Sequence, residues 1–287
     1  MLVLSRAEVE ELLDLDELPD ALARAHAELS AGEVSMPARI AAHAEGGLLG
    51  AMPAYLPSAG LGCKLVTLFP GNVDRPTHQA EIVIFDPESG TPVAIMDGTY
   101  ITAMRTAAAA ALSARLLARE DARVLAILGT GVQSRAAQEM FPRVGDFTDI
   151  RVAGRGEYED AVRGADVVHA ATHSPEPVVR ADWLDPGAHV SSVGYNAPGS
   201  ELDPAIVARA DVICVESRDS AFAPHPAGAP ELADVDPERT VELGEIVAGT
   251  RPGRTSDGEI TLYKSVGVAV QDLAAAALVL AAAEART

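Results

Sequence analysis

From Arg123 onward the chain alternates short, continuous apolar runs with helical or loop segments, and this alternation restricts its fold more than any other feature. The runs are RVLAIL (123–128), DIRVA (149–153), ADVVHAAT (165–172), HVSSVG (189–194) and ADVICVES (210–217). A strand with one face in water alternates apolar and polar residues. A continuous run is buried on both faces, as in a parallel sheet covered by helices. The middle of the chain is therefore expected to form an α/β domain with a Rossmann-like parallel sheet.

The first run ends in Gly129-Thr130-Gly131 and passes into a helical segment. In that order, backbone N–H groups at a helix start can face a pyrophosphate. The usual third glycine is replaced by Ser134, and a bare GxG also serves as a plain structural turn, so the turn alone supports either reading. The second run ends Ala153-Gly154-Arg155. It lacks the acid that grips the adenosine ribose of NAD, and Arg155 stands where a cation could pair with a 2′-phosphate, so NADP(H) is expected in preference to NAD(H). Between this strand and the next there is room only for a short helix, Glu157 to Arg163.

Upstream, residues 5–32 read as helices, opened by Ser5 with Glu8 three residues on. Residues 38–95 change to short apolar runs broken by turns, with Asp86 to Gly90 as a turn between two strands. Residues 102–119 form an alanine-rich helix by propensity. After about Ile260 the pattern reads as one long helix returning to the N-terminal part. The expected domains are thus 1–115 with 263–287, a discontinuous α+β substrate and dimerisation domain, and 116–262, a NAD(P)-binding domain.

The formal charge of −20 opposes binding to nucleic acid, whose recognition needs clustered Lys and Arg. It also makes any well-placed cation informative, because a carboxylate ligand needs local positive charge. The two cysteines, Cys63 and Cys214, have neither disulfide nor zinc spacing, which fits a reducing cytoplasm. The acidic N-terminus does not read as a signal peptide. The apolar stretch 266–283 carries Gln271 and Asp272, which argues for a buried or interfacial helix and against a membrane span. His78, His169, His173 and His225 are read as lying in or beside loops without metal-ligand spacing, and no metal is expected.

Several stretches together resemble the ornithine cyclodeaminase/mu-crystallin family. They are MPAR (36–39), MPAYLP (52–57), GCKLVTLFPGN (62–72), DGTYITAMRTAAAAAL (97–112), GTGVQSR (129–135), PGAHVSSVG (186–194) and EITLYKSVGVAVQDLAAA (259–276). The resemblance spans nearly the whole chain. It implies a homodimer whose substrate domain carries the dimer interface and faces a Rossmann-like domain across an active-site cleft. The activities it implies include ornithine cyclodeamination, ketimine reduction and amino-acid dehydrogenation.

Carried over residue by residue, the resemblance makes Arg39, Lys64 and Arg105 the cations that hold the α-carboxylate of a small amino or imino acid. Charge-assisted bonds of that kind fix the reacting carbon before a nicotinamide. Lys64, in an apolar strand, is also the expected proton donor to an imine nitrogen, since lysine pKa responds to burial. Gly129, Thr130, Gly131, Val132 and Gln133 would hold the pyrophosphate, and Arg155, Thr172, Gly194, Ser265, Val266 and Gly267 would line the rest of the cofactor site.

Two departures from the family pattern stand out: a pair of missing acids, and the short connection between Ala153 and Ala165, where the family usually has another helix and strand, so that the sheet is expected to lack one edge strand. An aspartate that cyclodeaminases use for proton transfer corresponds here to Asn196, an amide that cannot act as acid or base and is expected to bind substrate. The acid that holds ornithine's distal amine is absent from Leu49-Gly50-Ala51. The expectation is therefore reduction of a 2-imino carboxylate, with a cyclic imine such as pyrroline- or piperideine-2-carboxylate among the substrates. Ornithine or lysine cyclodeamination, amino-acid dehydrogenation and non-catalytic NADPH or ligand binding are the alternatives.

Overall fold

A computed structural model describes residues 1–194, 199–224 and 227–286. The chain divides into two compact units, residues 1–105 with 268–287 and residues 106–267. The first boundary falls inside a long helix and the second just before the last helix.

The first unit is built on a six-stranded sheet. Its elements are β1 (Leu2–Leu4), α1 (Arg6–Leu12), α2 (Leu18–Ser30), β2 (Ile40–Ala44), β3 (Gly47–Leu56), β4 (Gly60–Leu68), β5 (His78–Phe85), β6 (Pro92–Asp97) and the start of α3 (Gly98–Leu117). The strand order is β1-β6-β5-β4-β3-β2, antiparallel from β2 to β6, with β1 added in parallel to β6. The first residues thus form an edge strand ahead of the expected helices. Ser5 and Glu8 form the capping box of α1, satisfying two N–H groups that the helix itself cannot.

Period-2 alternation sets the core face of this sheet. Leu4, Met96, Ile82, Lys64 and Met52 lie opposite one another on successive strands, and all five are buried. Lys64 is the one charged side chain in that row. A sheet face of this kind carries a cation only if a partner is supplied from outside the sheet.

The second unit holds a seven-stranded, all-parallel sheet. Its elements are β7 (Val124–Leu128), α4 (Val132–Met140), β8 (Asp149–Ala153), α5 (Tyr158–Val162), β9 (Val167–Ala170), β10 (His189–Ser192), α6 (Pro204–Arg209), β11 (Val212–Val215), α7 (Arg218–Ala221), β12 (Thr240–Glu242), α8 (Leu243–Val247) and β13 (Thr261–Lys264). The order is β12-β11-β13-β10-β9-β7-β8. The apolar runs read from sequence are the strands, and β8 is an edge, reached from β9 through the single short helix α5. With no further strand beside it, Ile150 and Val152 of β8 stay exposed.

One expectation is corrected. The segment after Ile260 does not begin as helix: Thr261–Lys264 is the buried strand β13, inserted between β10 and β11. Its branched and aromatic residues suit a fully buried strand, and ladders on both sides outweigh the helical reading of its neighbours. The last helix, α9 (Ala269–Glu284), starts after Gly267 and belongs to the first unit. No helix among the described residues is long and apolar enough to cross a membrane.

His169 also differs from its expected loop position. It is fully buried within β9, with Nδ1 2.9 Å from Ser191 Oγ, and burial pushes its pKa down to about 3. It is therefore a neutral core histidine. His225 lies outside the described residues.

Candidate functional site

In the first unit, Lys64 reaches its partner on α9. Lys64 Nζ lies 2.7 Å from Asp272 Oδ2, and Arg105 Nε, from α3, donates to Asp272 Oδ1 at 2.9 Å. Arg105 Nη1 donates to Gln271 Oε1 at 2.7 Å, and Gln271 Nε2 stands 3.0 Å from His26 Nε2 on α2. Lys64 is 2% and Arg105 5% exposed, while Asp272 is 1% exposed. One buried carboxylate therefore serves two buried cations.

The electrostatics follow from that count. Burial lowers the Lys64 pKa to about 8; Asp272 opposes the shift, and the charges of Arg105 and Arg39 add to it. For Asp272 burial works upward, but Arg105 and Lys64 outweigh it and hold the carboxyl below its usual value. Arg39 sits at the exposed lead into β2, close enough for its charge to be felt at Lys64. The three cations named from sequence thus share one electrostatic neighbourhood. Asp272 and Gln271, which organise two of them, were not singled out as site residues. Their signal is two polar residues in the first turn of an otherwise apolar helix.

In the second unit, the residues named from sequence collect at one edge of the sheet. Arg155 follows β8, Gly129 to Gln133 follow β7, Thr172 follows β9, Gly194 follows β10, and Ser265 to Gly267 follow β13. These are the carboxyl ends of five neighbouring strands, where ligands bind in open α/β sheets. Asn196 lies outside the described residues.

The turn after β7 fits a dinucleotide pyrophosphate. Gly129 has φ +118°, and a Cβ there would lie 2.5 Å from the Ala171 carbonyl oxygen, so only glycine lets the chain turn here. A Cβ on Gly131 would meet nothing within 4 Å, and Val132, the first residue of α4, is 57% exposed, so the helix start opens onto free space. Gln133 Oε1 is buried with no hydrogen-bond partner among the described residues, a polar atom left for a ligand group. Arg135 Nη1 donates to the Thr130 carbonyl at 3.1 Å, which adds a cation at the turn beyond those expected from the sequence.

Buried carboxylates brace the neighbouring loops. Glu201 accepts from Thr172 N at 3.0 Å, Thr172 Oγ1 at 2.8 Å, Ser192 Oγ at 2.8 Å and Gly194 N at 2.6 Å. Lys264 Nζ donates to Gly194 O at 2.7 Å and Ser192 Oγ at 3.1 Å, and lies 3.2 Å from Glu231 Oε1. Glu216 accepts from Ser265 Oγ, Val266 N and Gly267 N at 2.7, 2.8 and 2.9 Å. Backbone N–H groups and hydroxyls that would otherwise be orphaned fix these loops. No local sequence pattern marks these acids, because the loops they brace are distant in the chain and meet only when the strands align. Among the described residues no group of three or more His, Cys, Asp or Glu side chains is placed to hold a metal.

The profile of the ornithine cyclodeaminase/mu-crystallin family matches residues 1–286. Ketimine reductase mu-crystallin of Mus musculus is 38% identical over 256 residues, covering 81% of this chain and 80% of the relative. Among solved structures, the Δ1-pyrroline-2-carboxylate reductase of Thermococcus litoralis, in complex with NADH and L-proline, superimposes with a TM-score of 0.91 at 31% identity, covering 100% of this chain and 98% of that one. An archaeal alanine dehydrogenase dimer with bound NAD matches with a TM-score of 0.91 at 32% identity, over 100% and 97% of the two chains.

Proposed function

Since this chain belongs to the ornithine cyclodeaminase/mu-crystallin family, we propose that it is an NAD(P)H-dependent oxidoreductase that reduces the C=N bond of a small 2-imino carboxylate to the amino acid. The observation that carries this reading is the pairing of two buried cations with one carboxylate. Lys64 and Arg105 share Asp272, which leaves a positive charge that an anionic substrate neutralises. An uncompensated buried charge is costly, so such a place favours a carboxylate ligand strongly.

Arg105 is held by Asp272 and Gln271 through Nε and Nη1, and its Nη2, which has no hydrogen bond among the described residues, would donate to the substrate carboxylate. Arg39 adds the third cation. Held in this way, the imine carbon has a fixed orientation, and positioning of that kind supplies much of a catalytic effect. Lys64, with its pKa near 8, is mostly protonated at neutral pH yet parts with its proton readily, as a general acid toward the imine nitrogen must. When bound, the reduced nicotinamide supplies the hydride that the imine carbon accepts. The Lys64 proton completes the amine, and solvent returns a proton to Lys64.

The pyrophosphate would rest on Gly129 to Gln133 with Arg135 beside it, and the nicotinamide end against Thr172, Gly194 and Ser265 to Gly267. Arg155 favours NADP(H) by its charge, but Glu157 shares the loop, and the choice between cofactors turns on that pair. The chain acts in a reducing cytoplasm, consistent with two free cysteines, and as a homodimer, supported by the archaeal alanine dehydrogenase dimer.

The test is a dinucleotide-oxidation assay with pyrroline-2-carboxylate, piperideine-2-carboxylate, and pyruvate, glyoxylate or oxaloacetate mixed with amines. Turnover of an imine is expected, with no ammonia from ornithine or lysine. Ammonia with proline or pipecolate from a diamine, and no imine reduction, would replace this reading by cyclodeamination.

A further inference from the structure

The adenosine end of the dinucleotide site contains an acid that the end of β8 itself lacks. β7 and β8 run in register to their last residues, Leu128 opposite Ala153, and Gly129 N donates to Ala153 O at 2.9 Å. The glycine turn and the loop 154–157 therefore leave the sheet side by side. In that loop Gly156 takes φ +95°, and the chain folds back so that Glu157 Oε2 accepts from Gly154 N at 3.1 Å. A Cβ on Gly154 would lie 3.6 Å from Glu157 Oε2 and 3.7 Å from Thr130 Cγ2. Glu157 is exposed, and its second oxygen, Oε1, accepts no hydrogen bond among the described residues.

We infer that Glu157 makes NAD(H) and not NADP(H) the cofactor of this chain, its carboxylate accepting from the adenosine ribose hydroxyls beside the glycine turn. The acid that grips this ribose ordinarily ends the second strand. Here the short connection from β8 to α5 brings one from three residues beyond Gly154, and the Gly154 N–H fixes the orientation of its carboxylate. A 2′-phosphate placed there would meet that carboxylate, with Asp160 following in the first turn of α5. Arg163, at the far end of α5, already pairs with Glu159, and Arg155 is the cation of the loop itself. The Glu157 carboxylate is already fixed by the Gly154 N–H, whereas Arg155, exposed and without a hydrogen bond among the described residues, must be ordered to pair, so the repulsion outweighs the attraction. This inference runs against the expectation drawn from Arg155 alone.

The inference rests on the reading of the second unit as a dinucleotide site, and calorimetric titration separates the two. NADH, NADPH, AMP and adenosine 2′,5′-bisphosphate are titrated into the wild type and the Glu157→Gln and Arg155→Ala variants. The wild type should bind NADH more tightly than NADPH by roughly 10- to 100-fold, the size of one charge-assisted hydrogen bond gained and one repulsion avoided. Glu157→Gln should bring the two dinucleotides to within a few-fold, and AMP and the bisphosphate should follow the same order. Arg155→Ala should leave NADH the tighter ligand. Tighter NADPH binding by the wild type, or a preference unmoved by Glu157→Gln, overturns the inference while leaving the dinucleotide site standing. Failure of both dinucleotides to bind overturns the site and the inference with it.

Discussion

Lys64 Nζ stands 2.7 Å from Asp272 Oδ2, a strand residue and a residue of the last helix joined as a buried ion pair. The pair has two effects. It makes a buried lysine tolerable in a row of Met, Ile and Leu side chains, and it opposes the loss of that lysine's proton, which burial favours.

Removing the amine tests its catalytic part. Lys64→Met should lower kcat for imine reduction by about 10²- to 10⁴-fold, the range of a lost general acid. Dinucleotide affinity, read by calorimetry, should not change, because the residues proposed to hold the dinucleotide lie in the other unit. Unaltered turnover would take Lys64 out of the mechanism.

Titration of the same group gives a pH dependence of definite sign. The protonated form is the one that donates, so kcat/KM should fall as pH rises through about 8. Stability runs the other way. The folded-state pKa is depressed from 10.5 to about 8, so between these values the unfolded chain binds more protons and stability rises with pH. Below about 8 the cost of burying the charge is fully present. Melting curves of wild type and Lys64→Met across pH 7 to 11 should show this slope in the former and its loss in the latter.

Asp272 should act on both properties. Asp272→Asn leaves Lys64 and Arg105 buried without their carboxylate, a change that costs on the order of 3–5 kcal/mol in comparable buried pairs. Because Asp272 raises the Lys64 pKa, its loss should also move the alkaline limb of the rate profile to lower pH. A variant with unchanged melting temperature and an unmoved limb would contradict this account.

The two glycines of the turn should respond in opposite ways. Gly129→Ala forces a side chain into φ +118° and against the Ala171 carbonyl, costing about 1–3 kcal/mol in backbone strain alone and more with the clash. Gly131→Ala has an open Cβ direction and an ordinary φ of −84°, so the melting temperature should hold. Its methyl group would occupy the mouth of α4, and NADH affinity should drop. Equal effects of both on melting would refute the division of roles.

The strand runs of the second unit were legible in sequence because burial on both faces leaves an unbroken apolar signature. The glycine turn was legible for a related reason, since φ +118° admits little else. β13 was not, because TLYK sits beside a helical alanine tract and becomes a strand only when β10 and β11 are present on either side of it. Lys64 and Arg105 stood out as cations in apolar surroundings, which local composition reveals. Glu201, Glu216 and Lys264 did not, because each acts on loops that are distant in the chain and close only after the strands line up.

By itself, then, the sequence determined the parallel sheet, its glycine turn and the presence of cations that burial would have to explain. Those properties depend on nearest neighbours in the chain: side-chain periodicity, backbone freedom and local polarity. The tertiary structure alone decided that Asp272 joins Lys64 to Arg105 and that Glu157 turns back to the end of β8. Electrostatic pairing acts over a few ångströms of space whatever the separation in sequence, so only the folded chain could reveal it.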